Sequence, residues 1–142
     1  MEVEIGKGKT GRRAYGFDEI TIVPSRRTRD PEDVDISTQI DKFKMEIPCL
    51  ASAMDGVVDV KLAIEMGKLG GMAVLNLEGI QTRYENPDEL LKEIASFSKE
   101  EATRNMQKIY EEPIKEELVA KRIKQIKDGG VAAIASITPQ KV

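Results

Sequence analysis

Ser52, Met54, Asp55 and Gly56 close an apolar run that begins Ile47-Pro48-Cys49-Leu50-Ala51. Four to eight apolar or small residues breaking into Ser, Asp and Gly read as a buried strand with a polar tip, covered on both faces as parallel strands are. A hydroxyl and a carboxylate at such a tip can hydrogen-bond a ligand. Cys49 is the single thiol, and the chain contains no histidine. Without histidine there is no Cys-His or Ser-His nucleophile pair and no imidazole metal ligand. One cysteine also makes neither a thiolate zinc site nor an internal disulfide. Inside an apolar strand, Cys49 reads as a buried, inert thiol. No catalytic residue and no metal ligand set is predicted from these residues.

The elements that must hold this tip follow directly. Asp59 to Leu69 reads as a helix, with Leu62, Met66 and Leu69 as its apolar stripe and Lys61, Glu65 and Lys68 on the other side. Gly70 is placed to take the left-handed conformation that closes it. Met72-Ala73-Val74-Leu75 is a second apolar strand ending in Asn76-Leu77-Glu78-Gly79, so the polar-tip pattern repeats. Asn86-Pro87-Asp88-Glu89 starts a helix with Leu90, Leu91 and Ile94 at helical spacing, and Ser98-Lys99-Glu100-Glu101 starts another with Ala102, Met106 and Ile109. After Pro113 a third runs to about Asp128, with Val119, Ile123 and Ile126 inward and Gly129-Gly130 as its stop. Val131 to Ile137 is the next apolar strand, ended by Thr138-Pro139.

The N-terminal third is less regular. Gly8-Lys9-Thr10 matches the end of a phosphate-loop motif, but Val3 occupies the first glycine position and no buried strand precedes it. A mobile, solvated terminus is expected there. Tyr15 to Pro24 favours a short strand ended by its proline. Arg26, Arg27 and Arg29 form a solvated charged loop, and Asp35–Ile40 and Phe43–Ile47 alternate like edge strands.

At 142 residues, 40% apolar and 33% charged, the chain is a globular one with a single domain as the default. Net charge is −3; residues 1–30 hold seven basic against five acidic residues, too small an excess to favour nucleic acid. No apolar run approaches bilayer length and Met1-Glu2-Val3-Glu4 is no signal peptide, so no membrane partner and a cytoplasmic location are expected.

Three apolar strands linked by helical crossovers are parallel neighbours. They belong either to an open doubly wound sheet or to a closed barrel, which needs about 250 residues. The last apolar strand has no helix after it, which favours the first part of an α/β (β/α)8 TIM barrel. In both architectures ligands gather at the strands' C-terminal ends, here Ser52–Val57, Asn76–Gly79 and Thr138.

Ala14-Tyr15-Gly16-Phe17-Asp18-Glu19-Ile20-Thr21-Ile22-Val23-Pro24, Ile47-Pro48 through Val57, Leu62-Ala63-Ile64 and Gly70-Gly71-Met72-Ala73-Val74-Leu75 occur in an order and spacing that resembles the N-terminal third of IMP dehydrogenases and GMP reductases. Val23 to Arg29, with Glu112-Pro113-Ile114-Lys115-Glu116-Glu117-Leu118, is most similar to the bacterial IMP-dehydrogenase-related subgroup without CBS domains. The resemblance implies that residues 1–142 are the N-terminal part of one catalytic barrel domain, usually tetrameric, acting on a purine nucleotide monophosphate with NAD or NADP. In the dehydrogenase a cysteine attacks C2 of IMP, hydride passes to NAD and water releases XMP; in the reductase the comparable GMP adduct loses ammonia and accepts hydride from NADPH. By the same resemblance Ser52 contacts the nucleotide, Met54 lines the base pocket and Asp55 supports their loop, the three forming the substrate-binding set. Asn76 and Glu78, at the next strand's tip, are the cofactor-binding candidates.

The family's catalytic cysteine lies in a later loop, so Cys49 is not its counterpart and these 142 residues alone are expected to be inactive. Dehydrogenase and reductase stay undivided by this part of the fold. A non-enzymatic half-barrel module is the reading from a different class.

Overall fold

The computed structural model describes residues 2–24 and 27–141, which divide into two compact units, the first ending at Asp35 and the second beginning at Ile36. In the first unit, β1 (Glu2–Gly6) pairs antiparallel with β2 (Lys9–Arg12). The expected mobile terminus is therefore a hairpin, although it is almost wholly exposed. Tyr15 to Pro24 forms no strand: Phe17 is 96% and Ile22 93% exposed. Its β-branched residues favour extended backbone, but among the described residues no neighbouring strand takes its N–H and C=O groups. Of the arginine loop, Arg26 lies outside the described residues.

The second unit holds the site. A short hairpin, β3 (Thr38–Ile40) with β4 (Phe43–Met45), precedes a parallel three-stranded sheet in the order β5 (Leu50–Ala51), β6 (Met72–Asn76), β7 (Ile134–Ser136). Leu50 aligns with Met72, and Val74 with Ile134, so the three C-terminal ends point the same way. Among the described residues the sheet is open and no barrel closes.

Among the described residues the unit also holds the α-helices α1 (Val60–Lys68), α2 (Pro87–Ala95), α3 (Lys99–Glu111) and α4 (Glu116–Asp128). Asp59 caps α1 by accepting a 2.7 Å hydrogen bond from the Leu62 N–H. Asp59→Ala should therefore cost about 1 kcal/mol of stability in urea unfolding. At the other end Gly70 sits at φ +87°, and a Cβ there would come within 2.8 Å of the Glu46 Cβ, so both conformation and space demand glycine. Asn86 and Ser98 stand at the starts of α2 and α3 without a side-chain cap to the backbone; Ser98 instead donates to Glu101 at 3.0 Å.

Val58, Ala63, Ala73, Leu75, Leu77 and Ile126 form the buried cluster, with Met66, Val119 and Ile123 packed around it. The core thus lies between β6 and the inner faces of α1 and α4. Burial of a side chain such as Leu75, with no exposed surface, stabilises by about 1.5–3 kcal/mol. Leu69 is not in that stripe; it is 68% exposed because α1 ends one residue before it.

The buried strand from Ile47 shrinks to two residues, and Cys49 is exposed rather than buried. Pro48 has no N–H for a ladder, β5 pairs on one side only, and nothing among the described residues covers Leu50, which is 51% exposed. The last strand likewise contracts from Val131–Ile137 to Ile134–Ser136, half-buried to exposed.

Candidate functional site

Asp55 joins the loops that follow β5 and β6. Its Oδ1 accepts from Asn76 Nδ2 at 3.1 Å and its Oδ2 from the Ile80 N–H at 2.9 Å. The same Oδ2 accepts from the hydroxyl of Tyr110, which arrives from the last turn of α3. Asn76 in turn accepts the Glu78 N–H at 3.0 Å. An ionised carboxylate accepting several donors forms the stronger class of hydrogen bond, so Asp55 works as a structural bracket for the strand ends.

Gly79 makes that bracket possible. A Cβ at this position would lie 1.7 Å from Asp55 Oδ1. Its backbone, at φ −97° and ψ −161°, is open to any residue, so the glycine is there for close approach.

Glu78 reaches across to the third strand. Its two carboxylate oxygens accept from the Thr138 N–H at 3.0 Å and the Thr138 hydroxyl at 3.1 Å, tying the tips of β6 and β7 together. Arg83 donates from Nε and Nη2 to the Glu78 carbonyl at 3.1 and 3.0 Å, and from Nη1 to the carbonyls of Tyr110 and Glu112. Its guanidinium lies 5.3 Å above the Tyr110 ring. Tyr84 adds a 2.8 Å hydrogen bond from its hydroxyl to the Ile109 carbonyl.

Partial burial, then the Asp55 carboxylate, push the Tyr110 phenol up to about 12, against a smaller lowering by Arg83. Raised above its ordinary value near 10, this group adds stability that is complete below pH 10 and fades as pH climbs towards about 12. With three tyrosines and no tryptophan, alkaline absorbance titration can resolve it. One of the three should ionise late, and Asp55→Asn should bring that step down.

Ser52 and Met54 differ from the rest. Among the described residues the Ser52 hydroxyl has no hydrogen-bond partner, the side chain is exposed, and Met54 is 57% exposed. The expected set therefore divides: Asp55, Asn76 and Glu78 are joined by hydrogen bonds, whereas Ser52 and Met54 project from the loop that Asp55 anchors. Tyr110 and Arg83 lie outside the strand ends to which the sequence points, whereas Gly79 lies within Asn76–Gly79 without its clearance role being legible. Gly79 was visible as the end of a polar strand tip; Tyr110 is an ordinary helix residue in the sequence, and only the fold brings it to Asp55.

Beside the frame lies a cavity of about 620 Å³ lined by Leu77, Arg83, Pro113, Ile114, Val119 and Ile137. Among the described residues no cluster of three or more Asp, Glu, His or Cys could hold a metal ion, and no helix is long and apolar enough to cross a membrane.

A parallel α/β sheet with polar loops braced together at its strand ends is the ligand-site class of such folds. The family model for the IMP dehydrogenase / GMP reductase domain matches residues 14–108, and the chain belongs to that family. It is 40% identical over 97% of its length to an uncharacterized oxidoreductase of Mycobacterium tuberculosis, and 38% identical over 97% to one of Mycolicibacterium smegmatis. An inosine-5'-monophosphate dehydrogenase of Methanocaldococcus jannaschii is 37% identical over 46% of the chain and 13% of its own length. The crystal structure of an IMP dehydrogenase/GMP reductase-like protein from Corynebacterium glutamicum superposes with a TM-score of 0.82 at 36% identity, over 99% of this chain and 39% of that one. The chain spans 38% of the length of the two oxidoreductases.

Proposed function

We propose that this chain is the N-terminal portion of the (β/α)8 barrel of a purine nucleotide oxidoreductase of the IMP dehydrogenase type, converting IMP to XMP with NAD. The observation that carries this reading is the exposed Ser52 hydroxyl, without a hydrogen-bond partner among the described residues, beside exposed Met54 on a loop held by Asp55. A free hydroxyl can hydrogen-bond a ribose or base edge, and a methionine is an adaptable apolar surface for a purine face. Asp55 holds the loop in place without touching the ligand.

The residues present fit part of a nicotinamide cofactor. Asn76 keeps one amide N–H and one carbonyl lone pair after its two internal hydrogen bonds, matching a neutral carboxamide edge. Phosphates do not fit here, because loops 52–57 and 76–79 contain no cationic side chain and Arg83 is committed to carbonyls. Phosphate contacts and the attacking cysteine belong to later loops of the complete protein. The cofactor would supply a hydride acceptor, and Asn76 and Glu78 would be the residues to hold it, Glu78 also tying the tips of β6 and β7 through Thr138. The reading places the complete protein in the cytoplasm as a homo-oligomer.

Following NADH formation from IMP in the complete protein tests this. A kcat/KM for IMP that falls about tenfold in Ser52→Ala, carried by KM, is the expected result for loss of one hydrogen bond to a neutral group. The same assay run with GMP and NADPH separates a GMP reductase, and absence of both activities overturns the enzyme reading in favour of a non-enzymatic half-barrel.

A further inference from the structure

Tyr110 lies 55 residues beyond Asp55 in sequence, yet its hydroxyl closes the bracket between the loops after β5 and β6. The end of α3 that presents it is fixed twice more, by Arg83 on the Tyr110 carbonyl at 3.1 Å and by Tyr84 on the Ile109 carbonyl at 2.8 Å. Arg83 and Tyr84 lie in the short segment between β6 and α2, so the helical excursion from Pro87 to Glu111 leaves the sheet and is brought back towards the strand tips. Such an excursion needs no contact with the strand ends merely to cross from β6 to β7. Here its last turn contributes a donor to the one carboxylate that sets the Ser52 loop.

We propose that Tyr110 is a positioning residue of the nucleotide pocket: by donating to Asp55 it latches α3 onto loop 52–57 and so fixes where Ser52 and Met54 meet the purine nucleotide. The pocket part of this rests on the nucleotide reading above; the latch itself does not. Tyr110 acts through Asp55, because its hydroxyl hydrogen is engaged by that carboxylate.

Tyr110→Phe removes one oxygen and leaves the ring under Arg83, so the fold is preserved. In the complete protein, amide exchange across residues 53–57 should accelerate about tenfold, and the IMP dissociation constant should rise about tenfold, as for loss of a hydrogen bond to a charged group. The KM for IMP should rise with it while kcat stays within about twofold. Combined with Asp55→Asn, the substitution should add nothing, because the tyrosine acts only through that carboxylate. Unchanged exchange in Tyr110→Phe, or full additivity of the two substitutions, overturns the latch. If the parent protein binds no IMP, the nucleotide reading fails, and the exchange measurement still upholds or refutes the latch.

Discussion

Arg122→Met should lower stability by about 3 kcal/mol, with a matching fall in the urea midpoint and an unchanged slope. Arg122 is only 7% exposed, and its guanidinium answers three backbone carbonyls: Gln81 at 3.0 Å, Glu85 at 2.8 Å and Tyr84 at 3.3 Å. These carbonyls belong to the irregular segment between β6 and α2, which has no ladder of its own to satisfy them. Methionine keeps the apolar stem packed in α4 but leaves those acceptors without a donor, and orphaned buried groups are the costly kind. Arg122→Lys should recover less than half of the loss, since one ammonium cannot reproduce the planar fork.

Gly79→Ala should cost about 3 kcal/mol, combining an overpacked contact with hydrogen bonds lost from a displaced carboxylate. The added Cβ would sit 1.7 Å from Asp55 Oδ1, and backbone strain is no part of the effect because φ is −97°. Asp55 must swing away, and Asn76, the Ile80 N–H and Tyr110 lose their acceptor together. Nucleotide affinity should fall with stability in this variant, whereas Arg122→Met should spare affinity under conditions where the protein stays folded. Thermal melts and IMP binding on the two variants separate the two roles.

The regular half of this architecture is written locally. α1 is legible from Asp59, the inward Leu62 and Met66 and the left-handed Gly70, because a cap, a periodic stripe and a stop all agree. The parallel order of β5, β6 and β7 follows from their helical crossovers in the same way. Cys49 was misjudged because burial of an edge strand depends on what covers it, and no local pattern reports that. Tyr15–Pro24 failed for a related reason: strand preference needs a partner strand to become a strand. At the site, Ser52, Met54, Asp55, Asn76 and Glu78 stand at the strand ends where the apolar runs break. Their division into a braced frame and a free rim rests on Gly79 and Tyr110, one a matter of clearance and the other a contact between residues far apart in sequence.

Amide exchange of the complete protein with and without IMP bears most directly on the claim that loop 52–57 is a nucleotide rim held by an Asp55 frame. Saturating IMP should slow exchange at residues 53–57 by about tenfold or more, with a smaller effect across 76–80, whose N–H groups at Glu78 and Ile80 are already bonded. IMP that binds or turns over while exchange at 53–57 stays unchanged would contradict it.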